Sequence, residues 1–407
     1  MAGRLILCIA SKQWTDIPSM LRCAHVIQLA VLGMLGVAVV MVHSAGMTIG
    51  SVTDPLTILT SRHALYALLA LGAMVLATRI NVRQVVRHHG WTNPLLWFVL
   101  LSLSLSALVL LPGVGRNING ARRWLQVGPI TFQPSELVKW AVVLALAWWC
   151  TGRRGAMHRF WDGLVPMLLL LGAACALIVT EDLGTAALIS IVGGCVLVAG
   201  GARPWHLGLL IPVAAVGFLA TILQSPYRMA RIKAFLDPWS DPRGIGYHAI
   251  QSELAIAQGG IFGRGLGNGI QKFGYVPADT TDFIFAVICE ETGLVGATII
   301  AAGYVTLLWV ALAIFRRCPD TFGRLVTLGI VLMVCFQALM NIAVVTVVVP
   351  TKGIALPLIS AGGTGWVMTA FALGLVAALD NANIEEGALD ESGERTPSCR
   401  ALPSATH

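Results

Sequence analysis

Apolar runs of about twenty residues recur along almost the whole chain, and a soluble core offers them no place. A bilayer admits helices or closed barrels. These runs are continuous rather than alternating, so helices are expected. The residues are 57% hydrophobic and 12% charged, about half the charged share of a soluble domain. The sequence therefore predicts an all-α polytopic membrane protein. A formal net charge of +7 would suggest nucleic acid in a soluble protein. Here Arg collects in short loops, where it orients helices, and no nucleic acid is expected. The nine Cys, among them Cys150, Cys175, Cys195, Cys289 and Cys335, show no CxxC or metal-type spacing and read as small buried hydrophobes.

Taken in order, the runs predict about ten transmembrane helices. The first covers about 24–43, the second 63–80 and the third 94–111. The fourth ends near Cys150, the fifth near Thr180, and the sixth follows Glu181 and Asp182. The seventh covers about 207–223, the eighth 282–314 and the ninth 325–349, and the tenth ends near Leu379. Arg83 and Arg87, then Arg153, Arg154 and Arg159, then Arg316, Arg317 and Arg324 mark cytosolic loops. Both termini are then cytosolic. The division expected is an N-terminal cytosolic segment 1–23, a transmembrane domain 24–379 and a disordered cytosolic tail 380–407, polar and acidic in composition. The eighth run is longer than a bilayer needs and predicts a tilted or broken helix. Its Glu290 and Glu291 are expected to face the bundle interior or a wet cavity.

Between the seventh and eighth spans lies a large extracytoplasmic loop rich in Gly, Pro and charge, with no obvious structure of its own. It ends by placing the carboxylate of Asp282 where the apolar helix FIFAVI begins. Polar loops before the fourth, eighth and tenth spans bring Arg123, Glu136, Lys139, Lys233, Arg243, Lys272, Asp282 and Lys352 to one water–lipid boundary. Glu136 and Lys139 are three apart at a helix start, which suits an ion pair; the plainer alternative is a capping pair that satisfies only itself. Cations with a few carboxylates suit an anionic lipid, most simply a lipid-linked phosphate or diphosphate. No ATP is present outside the cell, so synthesis there needs an activated donor. A sugar on a polyprenyl diphosphate is one, and its good leaving group requires no general acid. One carboxylate to deprotonate the acceptor hydroxyl and cations to hold the departing charge suffice. The GRGLGNG run follows no strand and is no nucleotide loop.

Several motifs stand in a fixed order: NGARRWLQVG at 119–128, FQPSELVK at 132–139, DLGT at 182–185 and DPWSDPRGIGY at 237–247. QGGIFGRGLGNGIQK at 258–272, TDFIFAVICEETGLVG at 281–296 and PTKGIALPLISAGG at 350–363 follow. With these the chain resembles, from about Ala24 to Leu379, the SEDS family (shape, elongation, division and sporulation), whose members include FtsW, RodA and SpoVE. The resemblance implies ten transmembrane helices and peptidoglycan glycosyltransfer: lipid II polymerised through β-1,4 bonds with release of undecaprenyl pyrophosphate. It implies Asp282 as the essential aspartate, and Arg123, Trp124, Glu136 and Lys139 as residues lining the cavity. Lys272 and Lys352 join them as substrate-binding candidates, their motifs being closest to those of FtsW. It further implies a class B penicillin-binding protein and other divisome proteins as partners, in the bacterial plasma (inner) membrane at the division septum. No cofactor is required, with a divalent cation, Mg or Mn, left open.

The chain departs from the family pattern in places. Ala278, Asp279 and Thr280 stand where Glu, Ala and His are usual. Glu181 replaces a proline, His248 a glutamine, and Ala361–Thr364 a Tyr-Gly-Gly-Ser run. Two alternatives stay open on the sequence, a lipid II flippase and a non-catalytic divisome scaffold. Functional-looking loops gathered on one face favour the enzyme.

Overall fold

The computed structural model describes residues 22–47, 55–84, 90–118, 121–128, 130–271 and 280–391. Five of the described α-helices begin where the sequence supplies an acceptor for the free N–H groups of a first turn. Ser61 accepts from Ala64, Asn93 from Leu95, Asp182 from Thr185, Ser225 from Arg228 and Asp320 from Gly323. Proline opens the helices Pro94–Leu110, Pro134–Gly152 and Pro226–Leu236, at a position where its missing N–H would be unpaired anyway. The helix Cys23–Ala45 has no side-chain cap of its own. Asp380, from the far end of the chain, supplies one, accepting the Ala24 N–H at 2.9 Å.

Among the described residues six helices are long and apolar enough to cross a bilayer: Cys23–Ala45, Phe160–Val179, Pro204–Leu223, Ile284–Arg317, Thr321–Val345 and Thr364–Glu386. Arg62–Ala77, Pro94–Leu110 and Leu183–Ala199 are apolar and shorter. The chain is a multi-pass helical membrane protein. Cys23–Ala45 packs on Ile284–Arg317 and on the last helix, against which Arg62–Ala77 also lies. Pro134–Gly152, Leu183–Ala199 and Thr321–Val345 pack together beside them, with Val143 and Val196 closing on Gly329. Pro204–Leu223 stands apart: its apolar window is unburied, and Ile211, Val213, Val216 and Leu219 are exposed.

The structure corrects three expectations. First, the chain is not wholly α. Arg116–Ile118 (β1), Ala121–Val127 (β2) and Ile130–Phe132 (β3) form an antiparallel sheet in the order β1-β2-β3. Arg116 pairs with Trp124, and Val127 with Ile130 across a turn at Gly128. ARRWLQV shows no regular alternation, and its seven residues carry too little pattern to outweigh the apolar runs around them. Second, the long loop is not structureless, since it holds the helices Pro226–Leu236 and Tyr247–Gly259. Third, the last helix runs on to Glu391, so residues 380–391 are not a disordered tail. Arg83 binds Asp320 at 2.8 Å and reaches Glu386 and Asn383, holding this polar stretch by charge, a tertiary contact that composition does not reveal. Residues 1–21 of the N-terminal segment and 392–407 of the tail lie outside the described residues.

The long helix Ile284–Arg317 is broken at Gly293, whose φ of 68° and ψ of −163° lie outside the helical region. A break inside an apolar span leaves backbone groups without intrahelical partners. The Gly-rich run satisfies them. Arg264 and Gly265 N–H groups donate to the carbonyls of Glu290 and Glu291 at 3.0 and 2.9 Å. Beyond the break, Leu294 and Val295 donate to Gly260 and Ile261 at 3.0 and 3.2 Å. The approach is too close for side chains: a Cβ on Gly293 would lie 2.4 Å from the Ile261 carbonyl oxygen. The two carboxylates complete the joint. Glu290 accepts the Ile270 N–H at 2.8 Å, and Glu291 accepts the Ser44 hydroxyl at 2.8 and 2.7 Å. Gly293→Ala adds both a clash and a backbone conformation worth about 1–3 kcal/mol of strain. Its apparent melting temperature in detergent is expected to fall well below that of Gly296→Ala, where the neighbour is only a Thr292 side chain.

Candidate functional site

Asp282 sits two residues before the start of the helix Ile284–Arg317, and the backbone around it is fixed from three sides. The buried Asn341 donates from Nδ2 both to the Asp282 carbonyl at 2.8 Å and to the Ile354 carbonyl at 2.7 Å. The Ala361 N–H donates to the Thr280 carbonyl at 2.8 Å. Phe283 stacks on His248 with ring centroids 5.5 Å apart. The loop 350–363 is thus laid against the start of the helix Ile284–Arg317. A Cβ on Gly353 would come within 2.9 Å of Asp282 Oδ2, so at that position only glycine leaves the carboxylate its room.

A second carboxylate stands nearby. Asp182 caps Leu183–Ala199, its Oδ1 accepting from Thr185 N–H at 3.0 Å and its Oδ2 from Thr185 Oγ1 at 2.9 Å. Arg123 Nη1 lies 3.5 Å from Asp182 Oδ2, and Arg123 Nε is buried with no partner among the described residues. The cap is held to the loop by Gly184, where a Cβ would lie 2.7 Å from Ile354 Cδ1. Burial pushes the Asp282 carboxyl up to about 6, helped by the like charge of Asp182 and opposed by Arg123 and Arg231. Burial also pushes the Lys352 ammonium below its usual value. Asp182 opposes that shift, while Arg228 and Arg231 add to it.

Arg228 and Arg231 were not singled out in the sequence, where Lys233 and Arg243 drew attention instead. Arg228 donates to the carbonyls of Val179 and Thr180 at 2.9 and 2.7 Å and so ties its helix to the turn before Asp182. Arg231 donates to the Thr351 carbonyl at 3.2 Å, next to Lys352. The signal was present. Both arginines lie three apart on a helix announced by Ser225 and Pro226, the spacing that drew attention to Glu136 and Lys139.

The structure brings Arg123 and Asp282 together around Asp182, sets Lys352 Nζ 5.3 Å from the centroid of the Phe218 ring within the reach of Asp182, and places the others differently. Lys139 is buried, its Nζ 2.8 Å from Glu136 Oε1 and 2.7 Å from Gln337 Oε1. Gln337 in turn donates to the Ala355 carbonyl at 2.9 Å. The Glu136–Lys139 pair therefore braces the floor of the 350–363 loop. Trp124 follows Arg123 on β2, and successive strand residues point to opposite faces; it lines a separate cavity of about 260 Å³ with Tyr66, Gly362 and Gly363. Lys272 and the unusual Asp279 lie outside the described residues.

Comparison with known proteins shows what the whole chain is similar to. Residues 23–385 match the model of the FtsW/RodA/SpoVE cell cycle protein family. A probable peptidoglycan glycosyltransferase FtsW from Thioalkalivibrio sulfidiphilus is 39% identical, covering 89% of this chain and 90% of its own. Stage V sporulation protein E of Bacillus subtilis is 40% identical, over 67% of this chain and 75% of its own. Among solved structures, one described as the structural coordination of polymerization and crosslinking by a peptidoglycan synthase complex superposes with a TM-score of 0.69. It is 31% identical and covers 88% of this chain and 97% of that one. The rod shape determining protein RodA of Thermus thermophilus gives 0.63 at 29% identity, covering 88% and 96%.

Lys139→Met leaves the Glu136 carboxylate without its cation inside the protein, at a cost of roughly 3–5 kcal/mol. Its melting temperature is expected to drop sharply. The double variant Lys139→Met with Glu136→Leu, which removes both charges, is expected to recover most of the loss.

Proposed function

The chain belongs to the FtsW, RodA and SpoVE family, and from that premise we propose that it is a peptidoglycan glycosyltransferase. It polymerises lipid II into β-1,4-linked glycan strands and releases undecaprenyl pyrophosphate, serving septal wall synthesis in cell division. The observation that carries this reading is the Asp282 carboxyl, raised to about 6 by burial and by the like charge of Asp182, with Arg123 and Arg231 near enough to oppose the shift. A base with that pKa is unprotonated at neutral pH yet close enough to it to accept a proton well.

In the proposed step, Asp282 takes the proton of the acceptor's 4-hydroxyl as its oxygen attacks the anomeric carbon of the donor. The bond to the diphosphate breaks, and the departing charge falls to Arg123, Arg231 and Lys352. The unpartnered Nε–H of Arg123 supports that role, since a buried guanidinium donor without an acceptor suits an anionic ligand. Trp124 and Lys272 keep the substrate contacts their motifs imply, while Glu136 and Lys139 act from beneath by holding the loop. Among the described residues no three His, Cys, Asp or Glu side chains gather as metal ligands. Asp182 already accepts from Thr185 and faces Arg123, so the step is written through side chains, and a role for Mg or Mn is left to titration.

The membrane reading has ten crossings, adding Arg62–Ala77, Pro94–Leu110, Pro134–Gly152 and Leu183–Ala199 to the six longer helices. Both termini are cytosolic, and the 224–283 segment faces outward from the bacterial plasma membrane. A class B penicillin-binding protein is the partner this reading favours; the likeness to a peptidoglycan synthase complex supports it. A flippase would need a polar route between both faces, whereas the described cluster lies at one end of the bundle and Glu290 and Glu291 are consumed by the joint at Gly293.

Asp282→Asn is expected to abolish glycan strand formation from purified lipid II while leaving the fold intact. A base must be unprotonated to act, so the rate should rise with pH through about 6 and then level. Asp182→Asn removes a like charge and should move that limb to lower pH. Arg231→Gln removes a compensating cation and should move it higher. A limb unmoved in both variants would falsify Asp282 as the titrating group.

A further inference from the structure

The cavity beyond Arg123 takes no part in the proton transfer or in holding the diphosphate, yet it is built from the same strand and the same loop. It encloses about 260 Å³. Tyr66 and His63 come from the start of one helix, Trp124 and Thr131 from β2 and β3, and Gly362 and Gly363 from the loop. His63 is set against Trp366, ring centroids 6.4 Å apart, and Gly363 brings its backbone against the Tyr66 ring. Ala361 joins cavity to site, lining the former while donating its N–H to the Thr280 carbonyl, two residues before Asp282. Two residues of chain cover at most about 7 Å, the scale of a single pyranose ring.

We propose that this cavity is a saccharide subsite, holding the N-acetylated hexose one unit away from the glycosidic bond being made. The proposal rests on the polymerase reading and adds a place for the glycan itself. Flat aromatic faces with a polar tip pack against the C–H faces of a sugar while leaving its hydroxyls free. Glycine backbone on the opposite side allows close approach and offers N–H and C=O groups. The Thr131 hydroxyl and the Arg62 guanidinium supply further polar partners on the same wall. A prenyl chain would find too many polar groups here. The diphosphate has its own cations on the opposite face of β2, where Arg123 meets Asp182. Alternation along one strand thus sorts the two ends of a glycosyl diphosphate, charge to Arg123 and sugar to Trp124.

Gly362 gives a direct test. A Cβ there meets only the Ser360 carbonyl oxygen, at an ordinary 3.5 Å, so Gly362→Leu fills the cavity without backbone strain. The probe is the soluble β-1,4 tetramer of N-acetylglucosamine, titrated by calorimetry into the full chain in nanodiscs. The unaltered protein and Asp282→Asn are expected to bind it equally. Gly362→Leu is expected to weaken binding by about tenfold or more, as is Trp124→Leu, which serves as the second variant should the first lose its thermal transition. Unchanged binding in the folded variants, or none to the unaltered chain, overturns the subsite. So does competition by inorganic pyrophosphate at the same site, which would mark the cavity as an anion pocket. The polymerase reading is judged separately: Asp282→Asn that still makes glycan defeats that reading whatever the tetramer does.

Discussion

One buried amide holds this cluster together. Asn341 Nδ2 donates to the carbonyls of Asp282 and Ile354, so the approach to the helix Ile284–Arg317 and the 350–363 loop share a single donor. Both carbonyls are at non-helical positions, and a buried carbonyl without a partner costs about 1–3 kcal/mol. By satisfying both, Asn341 makes the close approach of Gly353 to the Asp282 carboxylate the stable state. The Lys139–Gln337–Ala355 chain repeats the device one step lower. Two helices that belong to the bundle core thus fix a loop that belongs to the site.

The electrostatic character of the site follows from that placement. Asp282 is withdrawn from water by packing and is held beside another carboxylate, which favours its protonated form. Arg123 and Arg231 offset part of this, and the balance leaves a carboxyl close to neutrality. Arg228 and Arg231 are themselves anchored on carbonyls of neighbouring turns, so their charge stays in place without a bound anion. Such fixed charge requires little rearrangement when a diphosphate develops negative charge beside it.

The apolar spans were legible in the sequence because they depend on local pattern, run length above all; the arginine-rich loops and Asp282, a carboxylate just before a helix start, drew attention for the same reason. What escaped was set by contacts between distant segments. Asp380 reads as the first residue of an acidic tail until it is seen capping Ala24. Lys139 reads as an available cation until Gln337, nearly two hundred positions later, is found against it. Asp182 reads only as a residue just before the sixth apolar run, and its neighbourhood with Asp282 is a product of how two helices meet. The sheet at 116–132 was missed for another reason, its strands being short beside the membrane runs. Arg228 and Arg231 were within reach, since helix start and spacing both announced them.

The glycine run that seals the break at Gly293 has a bearing on how this sequence can vary. Its bonds to Glu290, Glu291, Leu294 and Val295 are made in register on both sides of the kink. Adding or deleting one residue between Gly259 and Gly265 would put every later donor opposite the wrong acceptor, inside a stretch whose exposed Ile261 and Phe262 suggest a tolerant surface loop. Length changes in an alignment should accordingly fall outside those seven positions, which are as frozen in count as a turn of helix.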